Sequence, residues 1–267
     1  MAKNKSASTK SFHIICNDYS ISKKIAQDVK RYLISQKYFF NAKEHNFLFV
    51  IGGDGTFVRS LRKYYNTDVK IVCINTGTVG FYAQLKQNNW KELISIINDD
   101  NNFFHPKNLE ININNKSTYN AMNEIVIQSL NTIKLDVQVD KILYENYKGS
   151  GVLIATKSGA TGQAKVNGGP IIMPNVDAYE FLELAPTIHA KHLTMMAPLI
   201  IKGDSEIDLN NFYSNQRCDL IIDGMKVTAI KSSDHIHIRQ IDASFKLCFP
   251  QKISDYIDRL QQTFIRG

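Results

Sequence analysis

Apolar residues in the first hundred positions alternate between short runs and patterns of helical spacing. The short runs are residues 12–16, 47–51 and 70–74, of which 47–51 is apolar throughout. All three predict strands, and a continuous run such as 47–51 is typical of a strand that is buried on both faces of a parallel sheet. The helical patterns cover residues 21–33, 57–65 and 90–97. This order predicts an α/β domain over residues 12–104, with a parallel sheet and right-handed crossovers.

The pattern changes after a polar break around residues 99–102 and Pro106. Beyond the break, short alternating segments predict strands, with little helical pattern apart from residues 176–184. The predicted strands are residues 109–113, 121–128, 133–139, 143–147, 152–156, 206–209, 218–222, 227–230, 235–239 and 245–249. They indicate a β-rich domain over residues 105–250, built of two packed sheets.

The last segment, residues 251–267, carries apolar residues at the spacing of a helix. Ile253, Ile257, Leu260 and Phe264 are separated by four, three and four positions. They form the apolar stripe of an amphipathic helix, which has to be buried against another surface. We expect this helix to pack on the first domain.

The composition is that of an ordinary globular protein, with 267 residues of which 43% are apolar and 21% are charged. A chain of this length buries a core without disulfides or a structural metal. Its longest apolar run has five residues, whereas a membrane-spanning helix needs about 20. Residues 1–11 lack the apolar block of a signal peptide. We therefore expect no membrane segment and, with four scattered cysteines, a cytoplasmic protein.

The formal net charge of +7 has two interpretations. It reflects either a lysine-rich background composition or the attraction of an anionic substrate such as a nucleotide. Nucleic acid is not predicted as a partner, because no basic run is interleaved with aromatic residues. His235 and His237 share one face of a predicted strand, but no third ligand accompanies them, so we predict no metal site built from side chains.

The strongest local signal for chemistry is the turn GGDGT, residues 52–56, which follows a buried strand and begins a helix. Glycines let backbone N–H groups approach a ligand closely, and the helix N-terminus favours phosphate. The carboxylate of Asp54 would weaken an anion site unless it held Mg²⁺ or took a proton from an attacking hydroxyl. The structural alternative is a Gly-rich turn in which Asp54 caps the helix.

A second Gly loop, NTGTVGF at residues 75–81, follows the next strand. Loops after neighbouring parallel strands share the crevice at the carboxyl edge of the sheet, where ligands of open α/β sheets bind. The dinucleotide fingerprint of dehydrogenases is absent, because Val58 stands where its third glycine is needed. A Walker loop is also absent, since the chain contains no Gly-Lys dipeptide. The two loops therefore predict a phosphate-handling site of another kind.

Two further groups of polar residues lie in the predicted second domain. Asn123 and Glu124 precede an apolar strand. There a carboxylate can accept both hydroxyl protons of a ribose diol, and an amide can read the edge of a base. An exposed pair at a strand edge is the alternative. The loop SGATG at 158–162, followed by GGP at 168–170, has small side chains that would line a nucleoside pocket or form a flexible turn.

These motifs occur in the order that is seen in NAD kinases. They are GGDGT, NTGTVGF, the pair Asn123-Glu124, the SGATG loop with the GGP that follows it, and Asp223-Gly224. The resemblance runs from about Phe12 to Phe264. GGDGT alone is shared with diacylglycerol and sphingosine kinases, whereas NTGTVGF and the Asn-Glu pair favour NAD kinases of the compact bacterial type.

The resemblance implies transfer of the terminal phosphoryl group of ATP, or of inorganic polyphosphate, to the adenosine 2′-hydroxyl of NAD, which gives NADP. Mg²⁺ would be carried by the donor phosphates near Asp54. Because the family assembles through its β-rich domain, the resemblance also implies a homodimer or a homotetramer. Two alternatives stay open: a lipid kinase of the diacylglycerol or sphingosine type, and a nucleotide-binding homologue with weakened catalysis.

The resemblance also assigns roles to residues of the loops. Asp54 would act on the proton of the 2′-hydroxyl, and Glu124 would bind a ribose diol of NAD beside Asn123. Phe81 would pack near the adenine end. Donor phosphates would be held by Gly52, Gly53 and Gly55. The other expected nucleotide-binding residues are Thr56, Asn75, Gly77, Ser158, Thr161 and Asp223.

The third loop departs from the family pattern, which reads close to T-P-[ST]-G-[ST]-T-A-Y. Here Lys157 replaces the proline, Ala160 a hydroxyl residue, Gly162 the alanine and Gln163 the tyrosine. Since the tyrosine normally offers a flat face beside the substrate, we expect this loop to contact NAD differently. Ser150 also stands in place of the aspartate of the family's Gly-Asp-Gly, which removes one carboxylate.

Overall fold

A computed structural model describes residues 10–78, 80–188, 194–214, 217–249 and 252–266. Within these ranges the chain forms five α-helices and seventeen strands. The helices are α1 (Ser20–Ser35), α2 (Asp54–Leu61), α3 (Leu93–Ile97), α4 (Gln163–Val166) and α5 (Ile253–Phe264). The strands are β1 (Ser11–Cys16), β2 (Phe39–Phe40), β3 (Phe47–Gly52), β4 (Lys70–Asn75), β5 (Leu85–Lys86), β6 (Phe103–Phe104), β7 (Lys107–Ile113), β8 (Ser117–Ala121), β9 (Glu124–Val139), β10 (Ile142–Thr156), β11 (Ala178–Pro186), β12 (Leu199–Lys202), β13 (Glu206–Ser214), β14 (Cys218–Ile222), β15 (Met225–Ile230), β16 (Ile236–Asp242) and β17 (Lys246–Cys248).

The chain divides into two compact units. The α/β unit contains the described residues through Pro106 and those from Ala243 onward, and the β unit is Lys107–Asp242. Within the described residues, no helix has both the length and the apolar character that crossing a membrane requires.

The described strands of the α/β unit form a seven-stranded sheet in the order β2-β1-β3-β4-β17-β6, with β5 beside β4. Every pair is parallel except β17 with β6. Ile25, Val29 and Leu33 of α1 share one apolar cluster with Phe49 of β3, because residues four apart lie on one face of a helix. The predicted α/β domain with a mostly parallel sheet is therefore confirmed.

The two Gly loops leave the same edge of this sheet. β3 and β4 are neighbours in register, so Gly52 at the end of one strand is opposite Asn75 at the end of the other. A Cβ placed on Gly77 would lie 3.8 Å from the Cα of Gly53. The predicted adjacency of the two loops is confirmed, as expected for a crevice at the carboxyl edge of a parallel sheet.

The C-terminal part of the chain joins the α/β unit earlier than the predicted boundary at residue 250. β17 pairs in parallel with β4 and antiparallel with β6. Phe245 and Leu247 are buried in this unit. The segment 245–249 therefore belongs to the α/β sheet and not to the β-rich domain. The sequence pattern of so short a strand is compatible with either sheet, so only its hydrogen-bonded pairing shows to which sheet it belongs.

The β unit contains a ten-stranded antiparallel sheet among its described residues, which confirms its β-rich character. The order is β12-β11-β10-β9-β13-β16-β7-β8, and β14 joins through β9 and carries β15. The first part of β9 pairs with β14 and the later part with β13. Both parts of β9 contribute to one apolar cluster. The strands thus form one branched sheet, where two packed sheets were predicted.

Most of residues 176–184, which show a helical pattern, lie in strand β11 (Ala178–Pro186) instead. Ala178, Tyr179, Phe181 and Leu182 of this strand are all buried. Tyr179 and Phe181 lie in the main core of the unit, whereas Leu182 packs with Ala164 of α4 in a second cluster. Because both faces of the strand are covered by apolar groups, the two-residue alternation of a half-exposed strand is missing from the sequence.

Candidate functional site

The first Gly loop connects β3 to α2 and lines an open cavity of about 480 Å³ in the α/β unit. Gly53 occupies the N-cap position of α2, and its carbonyl accepts the backbone N–H of Thr56 at 2.9 Å. The cavity is lined by Asn17, Asp18, Tyr19, Gly53, Gly55, Thr56, Arg59, Thr76 and Gly77. Four of the predicted nucleotide-binding residues therefore meet at the N-terminus of a helix, where the dipole and the free N–H groups favour phosphate.

Asp54 binds the second Gly loop through both oxygens of its carboxylate. One oxygen accepts the backbone N–H of Phe81 at 3.0 Å, and the other accepts that of Tyr82 at 3.1 Å. Asp54 is half-buried and is not among the residues that line the cavity. Each carboxylate oxygen retains a second lone pair, so the group keeps capacity to accept a further proton or hydrogen bond.

Asn75 shapes the second Gly loop from inside. Its buried side chain accepts the N–H of Gly77 at 2.9 Å and donates to the carbonyl of Gly77 at 3.0 Å. Gly80 has a φ of 71°, and a Cβ there would lie 2.5 Å from the Asn75 amide nitrogen. Only glycine fits that position. Asn75 therefore uses its amide to hold the loop, and Val79 of the predicted motif lies outside the described residues.

Phe81 lies against the C-terminal helix. Its ring centroid is 6.3 Å from that of Tyr256 and 6.2 Å from that of Phe264, both on α5. Arg259 of the same helix donates to the backbone carbonyls of Gly80, Phe81 and Ala83. α5 thus packs on the second Gly loop.

The α/β unit also holds two cationic groups near these loops that the sequence analysis missed. Arg59 lies one turn after Gly55 on α2, with a guanidinium nitrogen 3.3 Å from the position of a Cβ on Gly55. The spacing of four positions was the available signal, because it puts both residues on one face of the helix. Arg259 had no such signal, since nearly 180 positions separate it from the loop that it contacts.

In the β unit, Asp223 fixes the start of β9. Its carboxylate accepts three backbone N–H groups, from Met122 at 3.0 Å, Asn123 at 2.7 Å and Glu124 at 3.2 Å. Asp223 has a φ of 48° in the turn between β14 and β15, a conformation that aspartate tolerates better than most residues. Asp223 therefore orients the Asn-Glu pair.

Glu124 is a buried carboxyl group with 7% of its surface exposed. Burial, followed by the charge of Asp223, raises the pKa of Glu124 to about 7. Desolvation disfavours the ionised form, and a neighbouring carboxylate disfavours it further. Glu124 is thus poised to change its protonation state near neutral pH.

The third loop packs directly on the Asn-Glu pair. Thr156 donates to the carbonyl of Met122 at 2.7 Å and accepts the N–H groups of Ser158 and Gly159 at 3.1 Å. A Cβ on Gly159 would overlap the carbonyl of Asn123, so the loop approaches as closely as glycine allows. A Cβ on Gly162 would lie 4.0 Å from a carboxylate oxygen of Glu124.

The predicted site residues of the β unit, namely Asn123, Glu124, Ser158, Thr161 and Asp223, therefore lie in one region. Within the third loop, the hydroxyl of Thr161 donates to the carbonyl of Ser158. Lys157, which replaces the family's proline, donates to the carbonyl of Pro174 at 2.8 Å, and burial lowers the pKa of its ammonium group.

His235 and His237 take part in a polar cluster around Asp208. Both rings contact the buried carboxylate of Asp208, at 2.9 Å and 3.1 Å, and Lys141 contacts its other oxygen at 2.7 Å. Among the described residues, no three His, Cys, Asp or Glu side chains are grouped as metal ligands.

Comparisons with known proteins cover both units. The family model for the ATP-NAD kinase N-terminal domain matches residues 16–102, and that for the C-terminal domain matches residues 120–248. The NAD kinase of Ureaplasma parvum is 33% identical over 243 residues, which are 90% of this chain and 88% of that protein. The NAD kinase of Mycoplasmoides gallisepticum is 30% identical, over 82% of this chain and 81% of that protein.

Two solved structures have a similar fold. Yeast NADH kinase complexed with NADH has a TM-score of 0.80 at 18% identity and covers 97% of this chain and 89% of its own. An NAD kinase from Archaeoglobus fulgidus in complex with ATP has a TM-score of 0.76, also at 18% identity, over 94% and 99%.

Proposed function

Because the chain belongs to the NAD kinase family, it is a phosphotransferase that acts on NAD, and we propose that Asp54 is its catalytic base. The observation that carries this proposal is the anchoring of the Asp54 carboxylate by the N–H groups of Phe81 and Tyr82. Two fixed hydrogen bonds orient the group, and its remaining lone pairs are free to accept the proton of the adenosine 2′-hydroxyl. A ribose hydroxyl has a high pKa, so a carboxylate helps only as the proton leaves in the transition state.

The donor phosphates of ATP bind the cavity at the N-terminus of α2 in this proposal. Gly53 and Gly55 allow close approach to backbone N–H groups, and the hydroxyl of Thr56 lies beside them. Arg59 brings a fixed positive charge to the same cavity. Phosphoryl transfer depends mainly on positioning and on charge neutralisation, and these groups supply both.

Mg²⁺ fits the donor set of this turn only as a partner of the donor phosphates. Asp54 is the single carboxylate of the GGDGT turn, and each of its oxygens already accepts one N–H group. Mg²⁺ usually keeps several waters and takes one or two carboxylates together with substrate phosphates. When bound there, the ion would neutralise charge on the transferring phosphoryl group.

NAD is bound, in this proposal, by the polar residues at the start of β9. Glu124 accepts hydrogen bonds from a ribose diol, and Asn123 contacts a base edge or an amide. Asp223 orients both residues through their backbone N–H groups. Ser158 and Thr161 line the same part of the unit.

The test is an assay of the purified protein with NAD and Mg-ATP, in which an NADP-specific dehydrogenase detects the product. NADP formation that requires both substrates supports the proposal, and its absence with intact, folded protein contradicts it. Replacing ATP by inorganic polyphosphate in the same assay tests the second donor. The lipid kinase alternative is not favoured, because the family match covers both units. Light scattering tests the predicted homodimer or homotetramer.

A further inference from the structure

Arg259 and Asp54 bind opposite ends of the same two peptide groups. The first group joins Gly80 to Phe81: its carbonyl accepts from Arg259, and its N–H donates to Asp54 at 3.0 Å. The second joins Phe81 to Tyr82: its carbonyl accepts from Arg259 at 2.9 Å, and its N–H donates to Asp54 at 3.1 Å. Each of these two peptide groups is thus hydrogen-bonded to the guanidinium at its carbonyl end and to the carboxylate at its N–H end.

A cation on the carbonyl side strengthens the donor on the other side of a peptide group. Hydrogen bonds in a chain polarise one another, and those to ionised groups are shorter and stronger than neutral ones. Both links of this chain end on an ionised group. The arrangement therefore favours a carboxylate that is held in one orientation.

The burial of Arg259 carries a desolvation cost, which its contacts with the second Gly loop offset. Burial lowers the pKa of the Arg259 guanidinium, while the charges of Asp54, Asp255 and Asp258 raise it. Arginine stays protonated in such places and presents its donors in a rigid planar array. Here that array meets three carbonyl acceptors of one loop, because a third donor binds the carbonyl of Ala83 at 2.7 Å.

We propose that Arg259 is a positioning residue for the reaction, which acts on Asp54 through the peptide groups Gly80–Phe81 and Phe81–Tyr82. The inference rests on the proposed role of Asp54 as the base. It assigns to the C-terminal helix a part in catalysis that is separate from its packing, since Tyr256 and Phe264 already contact Phe81 through their rings.

The experiment compares Arg259→Met, Arg259→Lys and Arg259→Ala with Arg266→Met as the matched control. Arg266 lies just beyond α5 and donates to the side chain of Gln261.

For Arg259→Met we expect kcat to fall about 10- to 100-fold, as when a preorganised donor is weakened, with KM for NAD and for ATP changed less than about threefold. Arg259→Lys should recover part of kcat, and added guanidinium ion should partly restore Arg259→Ala. Arg266→Met should behave as the wild type.

A purely structural role predicts a different pattern. It would lower the melting temperature and raise both KM values, and guanidinium ion would not restore kcat. That result, or a kcat for Arg259→Met equal to that of Arg266→Met, overturns the inference. If Arg259→Met does not fold, the kcat of Arg259→Gln decides, because this variant keeps a side-chain N–H donor but removes the charge: a kcat below wild type with unchanged KM values supports the inference, and a wild-type kcat overturns it.

Arg259→Met in the Asp54→Asn background separates this inference from the proposed function. If Arg259 acts through Asp54, Arg259→Met lowers the residual kcat of Asp54→Asn by less than about twofold, since residues that act as a unit are non-additive. A full further loss overturns the inference and leaves Asp54 as the base. If Asp54→Asn alone keeps the wild-type kcat, the proposed base is wrong, and the inference falls with it.

Discussion

The carboxylate of Asp223 accepts the backbone N–H of Asn123 at 2.7 Å, although 100 positions separate the two residues. The same carboxylate also holds the N–H groups of Met122 and Glu124. The turn between β14 and β15 therefore determines where the Asn-Glu pair points.

Replacing Asp223 by alanine should disturb this pair and leave the α/β unit unchanged. The change leaves three N–H groups without their acceptor, and a buried unsatisfied group costs about 1–3 kcal/mol. We expect KM for NAD to rise about tenfold while KM for ATP stays the same. Steady-state kinetics measure both values. Asp223→Asn is the matched control, because it keeps one acceptor oxygen and should fall between wild type and Asp223→Ala. Equal effects on both KM values would contradict this role.

Asp54→Asn should remove turnover but keep the binding of NAD. Asparagine retains one oxygen for the N–H groups of Phe81 and Tyr82 but has no carboxylate to accept a proton. We expect kcat to fall about 10²- to 10⁴-fold, the usual contribution of a general base. Calorimetric titration should give a Kd for NAD close to that of the wild type. A near-normal rate would show that Asp54 is not the base.

Glu124 should make the binding of NAD depend on pH around neutrality. Burial raises its pKa to about 7, and only the ionised form accepts both protons of a ribose diol. The ionised fraction is about one-tenth at pH 6 and about nine-tenths at pH 8, so Kd for NAD should be about tenfold lower at pH 8. Titration calorimetry at both pH values measures this. Glu124→Gln should bind weakly with little change over this range, and an unchanged slope in that variant would assign the effect to another group.

Arg59→Ala should weaken the binding of ATP selectively. Arg59 lines the cavity at the N-terminus of α2, and a charge-assisted hydrogen bond to phosphate would be lost. We expect KM for ATP to rise about tenfold, or about 1.4 kcal/mol, with KM for NAD unchanged. The control is Arg31→Ala on α1, where the exposed guanidinium pairs with Asp28. Similar kinetics for the two variants would remove Arg59 from the donor site.

Glu180→Gln should stabilise the β unit at alkaline pH. Glu180 is 0% exposed, neither of its oxygens has a hydrogen-bond partner among the described residues, and burial raises its pKa from 4.5 to about 7. An acid whose folded pKa is raised contributes its stability below the unfolded pKa of 4.5, and that contribution is lost as the pH rises to about 7. The loss is about 3 kcal/mol by linkage.

Urea unfolding at pH 5 and at pH 8 measures this difference. The wild type should lose more stability between the two pH values than Glu180→Gln does. Glu44→Gln, at an exposed position, is the control and should follow the wild type. If Glu180→Gln follows the wild type as well, Glu180 remains ionised at no cost in the folded protein.

The order of strands and helices and the place of the two Gly loops followed from local patterns. An apolar run such as residues 47–51 predicts a buried strand wherever it lies, and a Gly-rich turn after it predicts the start of α2. Parallel pairing then puts the ends of β3 and β4 side by side. The motif residues Asp54, Asn123 and Glu124 were predicted in the same way, because their chemistry can be read from residue type and immediate neighbours.

Partners that are far apart in the chain were decided by tertiary structure alone. β17 belongs to the sheet of the α/β unit because it forms backbone hydrogen bonds with β4 and β6. The sequence of three residues does not determine which sheet they join. β11 showed a helical pattern because both its faces are covered. Asp223 reached Asn123, and Arg259 reached the second Gly loop, through contacts that span 100 or more positions. The spacing of residues along the chain does not predict such contacts, since they form only when the packing of helices and strands brings the backbone groups together.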